Sequence, residues 1–267
     1  MKQDERIPFV DALHRARVAA YPPGEFVEQE SFMRASEILA MADQAGIVPG
    51  ASVLDLCCGI AGPGRFVTRE RGCTYLGADY SASAIGLARQ RAGDLPCQFV
   101  VSRIPPIPSG PFDVVMLLET MLAFPEKAPL LQEISGALVP GGRFAFTLEE
   151  GLPLTESERA TMPDADTVWL TPLPEMLSHL EQIGLVVRWQ EDWSRAHRAV
   201  AESLRDAFTR DRAAIAAQIG REALDELLVA HGLWNDWLKA GRARKIALVT
   251  EKTSRAREGF RCGRCPK

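Results

Sequence analysis

Two acids set the terms for any chemistry in this chain. Asp55 sits inside the apolar run Val53-Leu54-Asp55-Leu56, and Asp79 closes a second run, Tyr75-Leu76-Gly77-Ala78-Asp79, 24 residues later. Between them the chain breaks into the small residues Cys57-Cys58-Gly59-Ile60-Ala61-Gly62-Pro63-Gly64 and resumes as Arg65-Phe66-Val67-Thr68-Arg69-Glu70, which reads as a helix. A buried parallel strand feeding a tight turn and then a helix N-terminus brings backbone N–H groups close to a ligand. An acid at the tip of the next strand is placed to accept hydrogen bonds from a ribose diol.

A dinucleotide would use similar parts, so the glycine order discriminates. The order here is Gly59-x-x-Gly62-x-Gly64, which does not match G-x-G-x-x-G, and an acid at Asp55 is foreign to that fingerprint. The run instead resembles motif I of the class I S-adenosylmethionine-dependent methyltransferases, V-L-D-x-G-C-G-x-G-x-x-G. The resemblance makes Asp55 the acid that organises the loop, Cys58-Gly59 the Cys-Gly pair, Gly64 the last glycine and Asp79 the ribose-binding acid. Cys57 and Ala61 stand where the family has glycine, so the backbone at Cys57 must be one that an L-residue tolerates. Leu138-Val139-Pro140-Gly141-Gly142, the L-x-P-G-G turn, is a second hallmark of the family.

The resemblance implies S-adenosyl-L-methionine as cofactor, with Gln29, Asp55, Cys57, Cys58, Gly59, Ala61, Gly64, Asp79, Tyr80, Ser102, Arg103, Ile104, Leu118 and Glu119 as its candidate contacts. After the third strand the family often presents an Asp to adenine; here Ser102 stands nearest that place. Methyl transfer is an in-line displacement in which the protein mainly positions and desolvates, and a base is needed only for some acceptors. Glu119, at the end of the fourth strand, Glu149, at the end of the fifth, and His197, after the sixth, are the catalytic candidates. Each competes with a plainer structural reading, and His14 and His231 read more simply as structural histidines. Trp169, Trp193, Trp234 and Trp237 are candidates for an aromatic pocket or for the core of a helical insert. Pro96-Cys97-Gln98 spells the nucleophile motif of cytosine-C5 DNA methyltransferases, but it precedes the third strand rather than following the fourth and is set aside.

The alternation of strands and helices, with the resemblance, implies an α/β architecture: a doubly wound, Rossmann-like, seven-stranded, mostly parallel sheet with N-terminal lid helices and a helical cap inserted before the last strand. Helices are expected at 7–20, 25–45, 62–71, 81–92 (with Ser81 as N-cap), 127–138 and 173–183. Strands are expected at 52–57, 74–79, 98–101, 112–118, 144–148, 185–189 and 245–250. Residues 152–171 read as irregular, and 195–241 as a helical insert broken at Gly220. The expected division is a helical lid at 1–50, a core at 51–194 and 242–252, the cap at 195–241, and a basic tail at 253–267 that is expected to be mobile. By resemblance the first segment closes over the cofactor, with Tyr21, Phe26, Gln29 and Arg34 as candidate lid contacts.

The 267 residues suit one large domain, and 46% hydrophobic with 25% charged residues is an ordinary soluble balance. A net charge of −4 argues against a dedicated nucleic-acid binder. With no 18-residue apolar run and no signal core behind Met1, a cytoplasmic protein free of membrane is expected. Six cysteines fit that compartment as reduced thiols, and Cys262-x-x-Cys265 is half a zinc site without its other half, so no metal is expected. The acceptor is expected to be a small natural product or metabolite methylated on O, N or C, the oligomeric state staying open. The competing readings are an NAD(P)-dependent oxidoreductase and a binding protein that keeps the fold without catalysis.

Overall fold

The structure is a computed structural model that describes residues 12–253; the Cys262–Cys265 pair and nearly all of the basic tail lie outside the described residues. A seven-stranded sheet forms its centre: β1 Ser52–Leu56, β2 Thr74–Asp79, β3 Cys97–Val101, β4 Phe112–Leu117, β5 Leu138–Glu150, β6 Leu185–Asp192 and β7 Arg244–Lys252, in the order β3-β2-β1-β4-β5-β7-β6. β1 through β5 pair in parallel, whereas β7 runs antiparallel between β5 and β6. The order reverses between β1 and β4, and a crevice opens beyond the carboxyl ends of strands at such a switch point.

Strand alternation divides the core in two. Val53, Val114 and Met116 pack on one face of the sheet with Ile38, Met41, Val67 and Ile85, while Leu54, Leu56, Val115 and Leu117 pack on the other with Leu130, Ile134 and Met176. The first face is covered by α2 Ala35–Gln44, α3 Gly62–Arg71 and α4 Ala82–Ala92, the second by α5 Lys127–Ala137 and α7 Leu173–Gln182. Asp55 shares its strand face with Val53 and therefore points toward α3. Ser81 caps α4 as expected, its hydroxyl accepting the Ala84 N–H at 3.2 Å.

A third apolar cluster joins α1 Ala12–Ala20 to the three helices between β6 and β7: α8 Ser194–Arg210, α9 Arg212–Ile219 and α10 Arg221–Ala240. α8 turns His197, Val200, Ala201, Leu204, Ala207 and Phe208 inward, the i, i+3, i+4 stripe of an amphipathic helix. Gly220, at φ +90°, breaks the insert where the sequence does, and Asp211 adds a second break between α8 and α9.

Three expectations are corrected. The helix expected over 25–45 is helical only over Ala35–Gln44, because upstream of it backbone groups are taken by a side chain. Gln29 Oε1 accepts the Val27 N–H at 2.6 Å, and its Nε2 donates to the carbonyls of Glu25 at 2.9 Å and Met33 at 2.7 Å. That local bonding competes with a helix, and Glu28 has φ +65°. Residues 152–171 are not all irregular: α6 Glu156–Thr161 begins with a capping box between Thr155 and Glu158, a signal the sequence carried. β1 ends one residue early, at Leu56, since Cys57 leaves the extended region. None of the described helices is long and apolar enough to cross a membrane.

Candidate functional site

The small-residue turn lies at the carboxyl end of β1, and its backbone explains its composition. Cys57 and Ala61, the two residues standing where glycine was expected, both adopt left-handed conformations, at φ +57° and +55°. An L-residue there carries a steric cost of roughly 1–2 kcal/mol, so the turn keeps its shape against local preference. Gly62 and Gly64 are required by close approach. A Cβ on Gly62 would come within 2.4 Å of the Val27 carbonyl oxygen, and one on Gly64 within 2.2 Å of the Tyr75 hydroxyl.

Two acids divide the work differently from what the resemblance implied. Asp55 does not hold the loop; its Oδ2 accepts the Tyr75 hydroxyl proton at 2.6 Å. The loop is held by Asp79, whose Oδ2 accepts the Gly59 N–H at 2.9 Å and whose Oδ1 accepts the Ser81 N–H at 2.8 Å. A carboxylate offers about four acceptor sites, so Asp79 keeps capacity for further donors. Burial pushes the Asp55 carboxyl up to about 7, with the Tyr75 bond opposing and the Asp79 charge adding to the rise. Burial also raises the Cys57 thiol to about 12 and the Cys58 thiol well above its usual range, helped by the two acids, so neither is a nucleophile.

The Asp55 shift predicts a stability change with a definite sign. Its folded pKa lies above the unfolded value of about 3.9, so its contribution is full below that value and is lost as pH rises through about 7. Asp55→Asn keeps an acceptor for Tyr75 and cannot ionise. Its stability relative to the parent should rise by roughly 2–3 kcal/mol between pH 5 and pH 8 in urea denaturation. A difference that stays flat over that range would show that Asp55 titrates normally.

A cleft of about 610 Å³ opens over this turn. Asp55, Cys57, Cys58 and Gly59 form its floor, Asp79 and Tyr80 one wall, Ser102, Arg103 and Ile104 the next, and Leu118 and Glu119 the far end, with Gln29 closing it from above. Twelve of the fourteen residues named from sequence are thus brought together. Ala61 and Gly64 are not on the cleft: Ala61 is buried at the start of α3, and Gly64 packs against Tyr75. Sequence reasoning missed Glu28, Glu30, Ser31, Phe124 and Thr167, which line the cleft from outside the α-helices. Glu28 is fixed there by ion pairs with Arg65 and Arg91.

Behind Glu119 lies a second cavity of about 330 Å³, bounded by Phe32, Phe208, Leu227, Trp234, Glu149 and Lys245 among others. Gln29, Glu30, Ser31 and Glu119 line both spaces, so the two meet there. Glu119 is held at φ +58° with its N–H on Thr147 Oγ1 at 2.6 Å. Lys245 was read only as a strand residue, yet its Nζ donates to Glu119 Oε2 at 2.8 Å and Glu149 Oε1 at 2.6 Å. Burial alone would raise the Glu119 carboxyl; the Lys245 ammonium, together with His197 and the Phe32 N–H, outweighs it and holds the group below the usual carboxylate range. The same carboxylates keep Lys245 above its ordinary value despite burial.

His197 is the catalytic candidate that the structure removes from the cavities. It is fully buried on the inner stripe of α8, its Nε2 3.4 Å from Glu37 and its Nδ1 3.8 Å from Glu119, and it lines neither space. Glu149 is off the cleft and on the inner cavity. Of the tryptophans, Trp234 faces that cavity, Trp237 packs edge-on against it, and Trp193 is buried against Trp189. Trp169 lies outside, under the Arg159 guanidinium. Tyr21 donates its hydroxyl to the Ser31 carbonyl, and Cys97 opens β3 far from Glu119. Among the described residues no cluster of His, Cys, Asp or Glu is arranged to hold a metal ion.

The cleft suits an adenosyl nucleoside: the missing side chain at Gly59 leaves backbone exposed along its floor, and Asp79 is buried beside it with acceptor capacity left. Comparison with known proteins agrees. A family model described as a methyltransferase domain matches residues 54–146. A fatty-acid O-methyltransferase from Mycolicibacterium smegmatis is 32% identical over 168 residues, covering 61% of this chain and 58% of that protein. The chain thus spans a little over half the length of the curated relatives it matches first. A cyclopropane synthase from Mycobacterium tuberculosis superposes with a TM-score of 0.78 at 13% identity, covering 91% of this chain and 94% of that one. Haemonchus contortus phosphoethanolamine N-methyltransferase 2 in complex with S-adenosyl-L-methionine gives 0.75 at 19% identity, over 92% and 58%. Residues 54–146 thus match a methyltransferase domain, and the strand order with the antiparallel β7 gives the chain the fold of the solved structures it superposes on.

Proposed function

We propose that the protein transfers a methyl group from S-adenosyl-L-methionine to a small-molecule acceptor. The observation that carries this reading is the junction at Glu119, where the nucleoside-sized cleft meets a second cavity. In this reading Asp79 grips the ribose, Ser102, Arg103 and Ile104 with Tyr80 flank the adenine, and Cys57 to Gly59 run beneath the amino-acid portion. Arg103 already lies over the Tyr80 ring at 5.9 Å, so the two can move together over a base.

When bound, the sulfonium supplies an activated methyl group; everything else required of the protein is placement, water exclusion and proton handling. Gln29 ties residues 25–33 into a compact flap over the cleft, and Glu28 bolts that flap to α3 and α4. Glu119 orients groups at the junction, its carboxylate kept ionised by Lys245. Glu149 stands on the acceptor side as the residue able to take a proton. Residues 1–50 and 195–241 act as lid and cap around the core of 51–194 and 242–252, and the reduced thiols suit a cytoplasmic setting.

The test is calorimetry with S-adenosylhomocysteine and NAD. The homocysteine nucleoside is expected to bind in the micromolar range and NAD not at all. Binding of NAD alone would support the oxidoreductase reading, and S-adenosylhomocysteine binding without methyl consumption by any acceptor would support a binding protein.

A further inference from the structure

We propose that the cavity behind Glu119 takes the acceptor as a compact amine, with its ammonium on the carboxylates of Glu119 and Glu149 and its apolar body against Phe208, Leu227 and Trp234. This rests on the methyltransferase reading above and deepens it by assigning an acceptor class. Two carboxylates, Glu119 and Glu149, face one ammonium, Lys245, so the inner end of the cavity carries a formal charge of −1. Glu149 is 1% exposed and its Oε2 finds no protein donor, whereas Glu119 Oε1, also buried without a hydrogen bond, has His197 Nδ1 3.8 Å away. A buried carboxylate oxygen without a donor is costly, and a ligand N–H is the group that would complete it.

Cations that could receive an anionic acceptor are already engaged. Lys245 gives two of its three N–H donors to its two carboxylates, and Arg17, at the other end, pairs with Glu30 at 2.7 Å. His231 places Nδ1 2.8 Å from the Leu227 carbonyl, and burial lowers its pKa, so the neutral ring donates there and leaves Nε2 as an acceptor. Carboxylate, phosphate and sulfate acceptors therefore meet the buried carboxylates of Glu119 and Glu149, with both cations of the lining already paired. The rings of Phe32 and Trp234 lie 5.7 and 5.4 Å from the Lys245 Nζ, which turns their negative faces toward the same end of the cavity and favours a second cation beside it. At about 330 Å³ the space is at the small end for ligand pockets, which selects a compact body.

The experiment is calorimetry on the protein saturated with S-adenosylhomocysteine, using three one-ring probes of similar size: phenethylamine, 2-phenylethanol and 3-phenylpropionate. The amine is expected to bind at least about tenfold more tightly than the alcohol or the acid. Glu149→Gln should weaken the amine about tenfold, and Ala230→Phe, which fills the cavity from α10, should abolish its binding. Both variants should keep S-adenosylhomocysteine affinity, since neither residue lines the cleft, and that retention certifies their folding. Equal or tighter binding of the alcohol or acid, no amine binding, or unchanged amine affinity in both variants would overturn the proposal while leaving the methyltransferase reading intact. Failure of the parent protein to bind S-adenosylhomocysteine would take both down.

Discussion

Asp79→Ala is expected to weaken S-adenosylhomocysteine binding about 100-fold, close to 3 kcal/mol. The size follows from two roles held by one carboxylate. In the free protein it receives the N–H groups of Gly59 and Ser81, which shape the turn beneath the cleft and the start of α4. In the complex its remaining acceptor sites are those offered to the ribose. Alanine removes the sugar contact and also frees a turn whose Cys57 and Ala61 are held in left-handed conformations. Asp79→Asn keeps one carbonyl acceptor and should fall between the two. Calorimetry at constant salt reads the effect directly, and a loss smaller than about threefold would detach Asp79 from the nucleoside.

Lys245→Met should destabilise the fold by about 3–5 kcal/mol, the usual cost of stripping the counter-ion from buried carboxylates. Glu119 and Glu149 would both lose their ammonium partner, and methionine matches the length of lysine well enough that cavity formation contributes little. The pH dependence identifies the cause. Lys245 holds the Glu119 carboxyl below its ordinary value, so the stabilisation is present above the unfolded carboxylate pKa of about 4.3 and is lost as pH falls through the depressed folded value. Lys245, raised above its ordinary value, extends that stabilisation to the alkaline side, where it is lost as pH rises through the folded value. The deficit of Lys245→Met should therefore be full at pH 7 and shrink below about pH 4. Lys245→Met/Glu149→Gln should recover part of it. A deficit below 1 kcal/mol at pH 7, or one that does not change with pH, would mean that the ion cluster is marginal to stability.

The cleft was more legible in the sequence than the cavity behind it, and particular residues show why. Eleven of the twelve cofactor candidates converge because they sit in or beside a turn and strand ends that a parallel sheet brings to one edge, and Gln29 joins them from the segment before α2. Glu119 was found the same way, as the acid at the end of β4. Glu28, Glu30 and Ser31 were missed because the segment was read as helix, when the Gln29 side chain binds three of its backbone groups. His197 was misplaced for a related reason. Only the packing of α8 against α1 and α10 decides that position 197 falls on the inner stripe with Leu204 and Phe208.

By itself the sequence determined the local and periodic features of this protein: the mostly parallel sheet, the turn between Leu56 and Gly64, the acid at Asp79, the Ser81 cap and the break at Gly220. Each depends on residues within one or two elements, where steric limits and alternation act at short range. Tertiary structure alone decided that Lys245 reaches across from β7 to Glu119 and Glu149, more than 90 residues away in the chain, and that Asp79 rather than Asp55 holds the loop. Long-range ion pairs depend on strand order and register, and here an antiparallel β7 between β5 and β6 sets Lys245 opposite Glu149, which no spacing in the linear chain encodes.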